Sequence, residues 1–341
     1  MRLRHPSGRT VHLTCGLSLT DAATPAEAFA MLDRAATELR AGLAEGPGRS
    51  RPLTIALRLS HPLAAALVDD GRARTRLRAE LDTRNLEVVT LSGGPDAEGG
   101  GTPPGGTPET APDAEAGGAA PDGSPEASPD AGAGTAQAPT GGGLPDWSEP
   151  ARLQHTLELA RILVDLLPED EVRGAVGTCG LGRRDVWDEA HEKATARHLR
   201  RLSGGLADLA WRVGRAVRVG FEPQPAYVLD SPEETVAALA RVDKDRLGVC
   251  LDLARVARDW PAPQDGIDRL TDAGLSVITV RITDPAVAWQ PILRHLLAAD
   301  TARTEYIEVG GDGTEAPDLA YVIGQLTALG LVPESEPCTA P

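Results

Sequence analysis

Aromatic residues are nearly missing from this chain: Phe, Trp and Tyr together make up 3% of it. Hydrophobic residues nonetheless reach 41%, so a sizeable core must be packed by Leu, Val, Ile and Ala. No block alternates Lys and Arg with aromatics as a nucleic-acid groove requires, and the net charge is −16. Nucleic acid is therefore excluded as an expected partner. No apolar run approaches the length of a membrane span, and the opening MRLRHPSGRTVHLTCGLSLT has basic residues without a continuous apolar segment. The expectation is a cytoplasmic protein with no transmembrane segment. The four cysteines, Cys15, Cys179, Cys250 and Cys338, are far apart and lack the paired spacings of a zinc site or redox dithiol. They are expected to be reduced and mostly buried.

From 93 to 143 the composition changes. These 51 residues hold 15 Gly, 9 Pro and 8 acidic residues, with no Lys, Arg or aromatic. Such a segment cannot bury enough apolar surface to offset its chain entropy, so disorder is the expectation. The domain plan is then a first part of one domain over 1–92, the insertion over 93–143, the remainder over 144–332 and a flexible tail over 333–341.

The rest alternates short β-rich runs with longer helical patterns. Strands are expected at 11–15, 53–59, 86–91, 174–178, 216–222, 246–252, 276–282 and 304–309, and helices over 25–43, 62–82, 149–167, 188–213, 232–242, 263–273, 285–299 and 316–329. SPEE (231–234) and TPAE (24–27) carry the N-cap, N1-proline and acidic first turn of a helix start. Strand then helix, eight times over about 290 residues, predicts an α/β protein built as a (β/α)8 TIM barrel. The insertion then follows the third strand, on the mouth where active sites of this fold lie.

Parity assigns the side chains. Val219, Phe221, Leu247, Val249, Leu251, Ile278, Val280, Ile282, Ile307 and Val309 form the helix-facing set. The opposite parity points inward: His12, Thr14, Arg58, Gly220, Glu222, Cys250, Asp252, Thr279, Arg281, Tyr306 and Glu308. Three carboxylates converging on one mouth, Glu222, Asp252 and Glu308, would raise one another's pKa unless positive charge sat among them. A divalent cation (Mn²⁺, Mg²⁺ or Zn²⁺) held by those hard oxygens would supply it. So would Arg58, Arg255 and Arg281, which bring the formal sum to zero and could instead grip a phosphate or carboxylate of a ligand.

Other candidates are weaker. His12 is inward and could act as acid or base, or be a hydrogen-bonded core residue; His61 at the strand-two exit is equally open. The remaining histidines fall on helices and are expected at the surface. Cys250 lies beneath Asp252 with no evident base and is expected to pack. GGDG (310–313) and GGG (141–143) lack the Lys-Ser/Thr ending of a phosphate loop; GGDG could still offer N–H groups to an anion.

HLT (12–14), LRLS (57–60), TLSGGP (90–95), PDW (145–147) with ARLQHTLELARILVDLLP (151–168), FEPQP (221–225), LGVCLD (247–252) and the strand end at Glu308 form a familiar series. On these the chain resembles the xylose-isomerase-like barrel superfamily of sugar isomerases and epimerases and, more closely, the EboE type of metabolite-traffic protein. EboE-like chains carry segments similar to EPEPG and GVCYDTCH, whose Glu, Asp and His imply a metal site. Here Glu222 and Asp252 remain, Arg255 stands where that His would be, Gln224 replaces the second Glu, and Arg281 lies where the wider superfamily often has a His ligand. The resemblance thus implies a protein of secondary metabolism that binds a biosynthetic intermediate at the barrel mouth, alongside other proteins of the same system. Its metal site looks degenerate, and no resident cofactor is expected. The sites carried forward are Glu222, Asp252 and Glu308 as catalytic or metal-binding groups, and His12, Arg58, Gln224, Arg255 and Arg281 as ligand-binding groups. A metal-dependent sugar or sugar-phosphate isomerase or epimerase is the alternative, with Glu222 or Glu308 moving a proton. A barrel kept as a non-catalytic scaffold is the third reading.

Deleting 94–142 is expected to leave the melting temperature nearly unchanged; a fall of many degrees in a thermal melt would overturn the linker assignment.

Overall fold

The computed structural model describes residues 1–41, 52–93, 144–299, 303–310 and 319–334. After a short β1 (Arg2–Arg4) come the parallel strands β2 (Thr10–Leu19), β3 (Leu53–Leu59), β4 (Leu86–Gly93), β5 (Arg173–Thr178), β6 (Ala216–Phe221), β7 (Leu247–Asp252), β8 (Val277–Ile282) and β9 (Tyr306–Val309). They lie side by side in chain order, and β9 pairs with β2 to close the barrel. The fold is a (β/α)8 TIM barrel. The segment expected to be disordered leaves the barrel after Gly93 and lies outside the described residues, as do most of GGDG, all of GGG and Cys338.

Two additions were not anticipated. Strand β1 pairs antiparallel with the start of β2 and with β10 (Val332–Pro333), so the two chain ends form a small ladder beneath the barrel. Strict alternation also slips twice: between Ile55 and Ala56 the partner strand carries Val89 as an extra residue, and between Val249 and Cys250 it carries Ile278. Such bulges change the face presented by the residues beyond them.

The helices follow their caps. Helix α1 (Pro25–Ala41) opens with Glu27 Oε2 accepting the N–H groups of Ala23 (2.7 Å) and Thr24 (3.1 Å). The expected helix over 62–82 is two, α2 (His61–Asp69) and α3 (Gly71–Thr83), because Asp70 ends the first and caps the second. Its Oδ1 accepts from Arg72 N–H (2.9 Å) and Ala73 N–H (3.2 Å), work for which Asp is among the best residues. Helices α4 (Pro150–Leu166) and α5 (Glu189–Val213) fall within the expected spans, and α6 (Pro232–Leu239) begins with a reciprocal capping box between Ser231 and Glu234. A short α7 (Leu253–Asp259) was missed. Helix α8 (Pro263–Asp272) is as expected, whereas α9 (Gln290–Ala298) starts late because Asp284 Oδ1 holds a turn through Ala286 N–H at 3.0 Å. Helix α10 (Leu319–Ala328) covers the barrel before β10. No described helix is long and apolar enough to cross a membrane.

The core is aliphatic, as composition requires, with Trp147, Trp289, Tyr306 and Phe221 as its largest fully buried side chains. Each buried Leu, Val or Ile contributes roughly 1.5–3 kcal/mol relative to exposure. Cys15, Cys179 and Cys250 are buried.

The lower end of the barrel is polar. His12, near the start of β2, pairs with Tyr306 at the start of β9 and stacks on its ring at 5.5 Å. Its Nε2 lies 3.5 Å from Glu171, which also meets Arg2 at 2.9 Å. Burial, reinforced by the neighbouring Met1 amine and Arg2, lowers the His12 pKa to about 4 and outweighs the nearby Asp170.

A folded-state pKa below the unfolded value near 6.5 means that His12 adds stability above pH 6.5 and loses it as pH falls toward 4. A His12→Gln variant should show a shallower loss of melting temperature between pH 6.5 and 5 than the parent. The difference corresponds to roughly 1–2 kcal/mol, and equal slopes would show that His12 protonates without penalty.

Candidate functional site

The mouth is built at the C-terminal ends of the strands. Asp252 closes β7, Arg281 is its register partner on β8, and Glu308 is the partner of Arg281 on β9. Glu222 directly follows β6 and is held through its N–H to the Thr178 carbonyl at 2.9 Å. Arg58 comes from β3. Alternation and register thus bring four strand-borne charges and Glu222 to one end of the barrel.

Each carboxylate is already engaged. Arg58 Nη2 donates to Glu308 Oε1 at 2.9 Å, with both side chains over nine-tenths buried. Arg281 Nη2 forms an ion pair with Glu222 Oε1. Arg255 approaches the same Glu222 oxygen at 3.4 Å and Asp252 Oδ2 at 3.7 Å. Asp252 Oδ1 accepts from Ala254 N–H (2.9 Å), Arg255 N–H (3.4 Å) and Thr283 Oγ1 (2.8 Å). Asp252 is therefore the N-cap of α7, and it holds Arg255 both through the backbone and across an ion pair.

Burial disfavours charge on Arg281, yet Glu222 above all, with Cys250, Glu308 and Asp252, raises its pKa beyond the ordinary value. The guanidinium is thus a permanent cation standing among the carboxylates. The residues present do not fit a divalent metal: the oxygens expected to ligate it face arginines or an N-cap, and arginine cannot coordinate. Among the described residues no group of three or more His, Cys, Asp or Glu is arranged to hold one. Burial also pushes the Cys250 thiol well above its ordinary pKa, which agrees with packing rather than nucleophilic chemistry.

Two of the expected ligand residues stand apart. His12 lies at the opposite end of the barrel, and parity could not reveal this because it fixes the face of a strand but not the level along it. Gln224 is half-buried in the loop after β6, where its backbone closes a turn with Leu229 (2.7 Å) and Tyr227 (3.1 Å).

Sequence reasoning missed several supporting residues. Trp147 of PDW is fully buried, packs on Phe221 at 5.3 Å and donates Nε1–H to Thr178 Oγ1 at 3.2 Å. Arg152 ties down the preceding loop through the carbonyls of Pro145 (2.7 Å) and Leu144 (3.0 Å). A methyl group on Gly180 would sit 2.6 Å from the Glu222 carbonyl oxygen, and Leu181 beside it has φ 75°. The signal was the glycine pair in CGLG (179–182), a place where backbone approaches backbone. Thr283 had no signal of its own.

Two helical histidines expected at the surface are buried, because α4 and α5 pack behind the mouth. His198 Nδ1 donates to the Trp147 carbonyl at 2.9 Å. His155 Nδ1 lies 3.1 Å from His61 Nδ1, one ring donating and the other accepting. Burial first, then His61 and Arg152, lowers the His155 pKa to about 3, so this ring stays neutral.

Comparison with known proteins rests on the fold. No family model and no curated protein matches the chain. Solved structures do: a D-tagatose 3-epimerase-like protein at 10% identity, covering 93% of this chain and 98% of that one with TM-score 0.54. An L-ribulose 3-epimerase follows at 13% identity, 93% and 86% coverage and TM-score 0.53. A xylose isomerase-like TIM barrel protein from Mycobacterium smegmatis, solved with magnesium, has 17% identity, 96% and 94% coverage and TM-score 0.50. The structural neighbours are thus xylose-isomerase-like sugar epimerases and isomerases.

Removing one member of a buried ion pair strands the other. Arg281→Gln should therefore cost about 3–5 kcal/mol in denaturant unfolding, and adding Glu222→Gln should recover more than 1 kcal/mol of it. Simple additivity in that double-mutant cycle would show that the two groups do not depend on each other.

Proposed function

We propose that this protein binds a small hydroxylated metabolite of the sugar or sugar-derived class at the C-terminal mouth of its barrel, with arginines rather than a resident metal neutralising the carboxylates there. The observation that carries this reading is the engagement of all three acids, Glu308 by Arg58, Glu222 by Arg281 and Asp252 by the start of α7. The likeness to barrels named for sugar epimerisation supports the ligand class. In this reading Arg58, Arg255 and Arg281 orient the ligand, and the carboxylates hold the arginines and accept hydrogen bonds from its hydroxyls. The finer role implied by the EboE resemblance, passing a biosynthetic intermediate between proteins of one system, belongs to the same proposal and explains why a ligand site would be kept without a metal centre.

A second reading has one observation in its favour, the fold shared with epimerases and with a magnesium-bound relative in fold. It makes the protein a metal-dependent epimerase, in which Glu222 or Glu308 would move a proton and the metal would polarise the adjacent oxygen. It requires Arg281 to leave the carboxylates when the ion enters.

Metal analysis and calorimetric titration with Mn²⁺, Mg²⁺ and Zn²⁺, with a Glu222→Ala, Asp252→Ala double variant as control, separate the two. No stoichiometric binding is expected, while sugars and sugar derivatives should raise the melting temperature. A ligand at a hundred times its Kd adds about 2.7 kcal/mol, a shift of roughly 5 °C for a domain of this size. Stoichiometric metal binding lost in the double variant would replace this proposal with the second reading.

A further inference from the structure

The mouth sets three arginines against three acids, and Arg255 is the most exposed of the three arginines. Glu308 is matched by Arg58 and Glu222 by Arg281. Asp252 meets its needs differently: one oxygen accepts from two backbone N–H groups and the Thr283 hydroxyl, so it consumes no guanidinium in a hydrogen bond. The Arg255 side chain is 38% exposed, and its guanidinium forms ion pairs with Glu222 Oε1 at 3.4 Å and Asp252 Oδ2 at 3.7 Å. Among the described residues its guanidinium makes no hydrogen bond, although it carries five N–H donors in a fixed fork.

A second donor at the same place is independently unspent. The Nε of Arg281 is buried and has no hydrogen-bond partner among the described residues. An unsatisfied buried donor of a charged group is costly. Arg255 and Arg281 pair with the same Glu222 oxygen, so their guanidinium groups are neighbours at the mouth. An oxyanion entering there would meet the solvent-facing fork of Arg255 with Arg281 behind it.

We infer that the ligand of this mouth carries an oxyanion, a carboxylate or phosphate on a polyol frame, and that Arg255 is the residue that recognises it. Asp252 is the positioning residue: it starts α7 and thereby sets where the Arg255 side chain leaves the backbone. This inference rests on the metabolite-binding reading above and narrows its ligand class. Asp252 also accepts from backbone N–H groups and the Thr283 hydroxyl, so it does not depend on Arg255 alone.

The test measures Kd by calorimetry for D-fructose, D-fructose 6-phosphate, D-gluconate and inorganic phosphate at constant ionic strength, in the parent, Arg255→Gln, Arg255→Lys and Asp252→Asn. The parent should bind a charged sugar on the order of 10- to 100-fold tighter than the neutral one, the span of a charge-assisted hydrogen bond. Arg255→Gln should erase that ratio and leave the weak affinity for D-fructose. Arg255→Lys should restore part of it, as a point charge without the fork. Asp252→Asn keeps an acceptor oxygen for α7 and should lower the ratio less than Arg255→Gln does. Preference for D-fructose 6-phosphate or for D-gluconate identifies the oxyanion as phosphate or carboxylate. A charged-to-neutral ratio unchanged in Arg255→Gln overturns the inference, as does phosphate binding equally to both proteins, which would mark an adventitious ion only. Equal binding of charged and neutral sugars removes this inference and leaves the broader reading standing, whereas no binding of any sugar removes both.

Discussion

Charge neutrality inside the barrel mouth is the constraint on which the site depends. Taking a carboxylate out of water costs several kcal/mol even after relaxation, and the cost is recovered only by a well-placed partner. Glu308 and Arg58 are more than nine-tenths buried and 2.9 Å apart, so neither is tolerable without the other. The barrel makes this pairing because β9 closes on β2, and β2 stands next to β3. Closure therefore places a residue from the start of the chain against one from near its end, and the charge pair and the topology support each other.

Arg281 shows how the same constraint can be met by a side chain in place of an ion. A bound cation comes and goes with its concentration and with the protonation of its ligands. A guanidinium tethered to β8 does neither, so the mouth keeps its electrostatics across conditions that would strip a metal. The backbone supports this arrangement: Gly180 lets its loop pass against the Glu222 carbonyl, and Trp147 braces the end of β5 through Thr178. These contacts fix the level of Glu222, and with it the place where two arginines meet one carboxylate oxygen.

Much of the fold was legible because its signals are local and repeated. The eight barrel strands could be placed from their β-rich runs, and helix starts from Ser231, Thr24 and the prolines that follow them. Alternation also indicated which charges would share a face. It could not say what they would do for one another: Asp252 reads from sequence as a metal ligand or an arginine partner, and it is first of all a helix cap. Helix α7 has only seven residues, too few for a periodic pattern to show. Asp70 cut a long amphipathic run in two for the same kind of reason, a cap outweighing the pattern around it. The burial of His155 and His198 depends on which elements pack behind the mouth, information that belongs to tertiary structure alone.

A helix as short as α7 cannot stand by itself, since nucleating a turn fixes several residues for one hydrogen bond. Here the nucleus is supplied from outside, by Asp252 and by the Thr283 hydroxyl that bonds the same oxygen from the far end of β8. The order of α7 is thus a readout of the mouth. Whatever partner draws Asp252 away unravels a first turn, and the amide protons of Ala254 and Arg255 would register it through faster exchange with solvent before any change reached the barrel beneath.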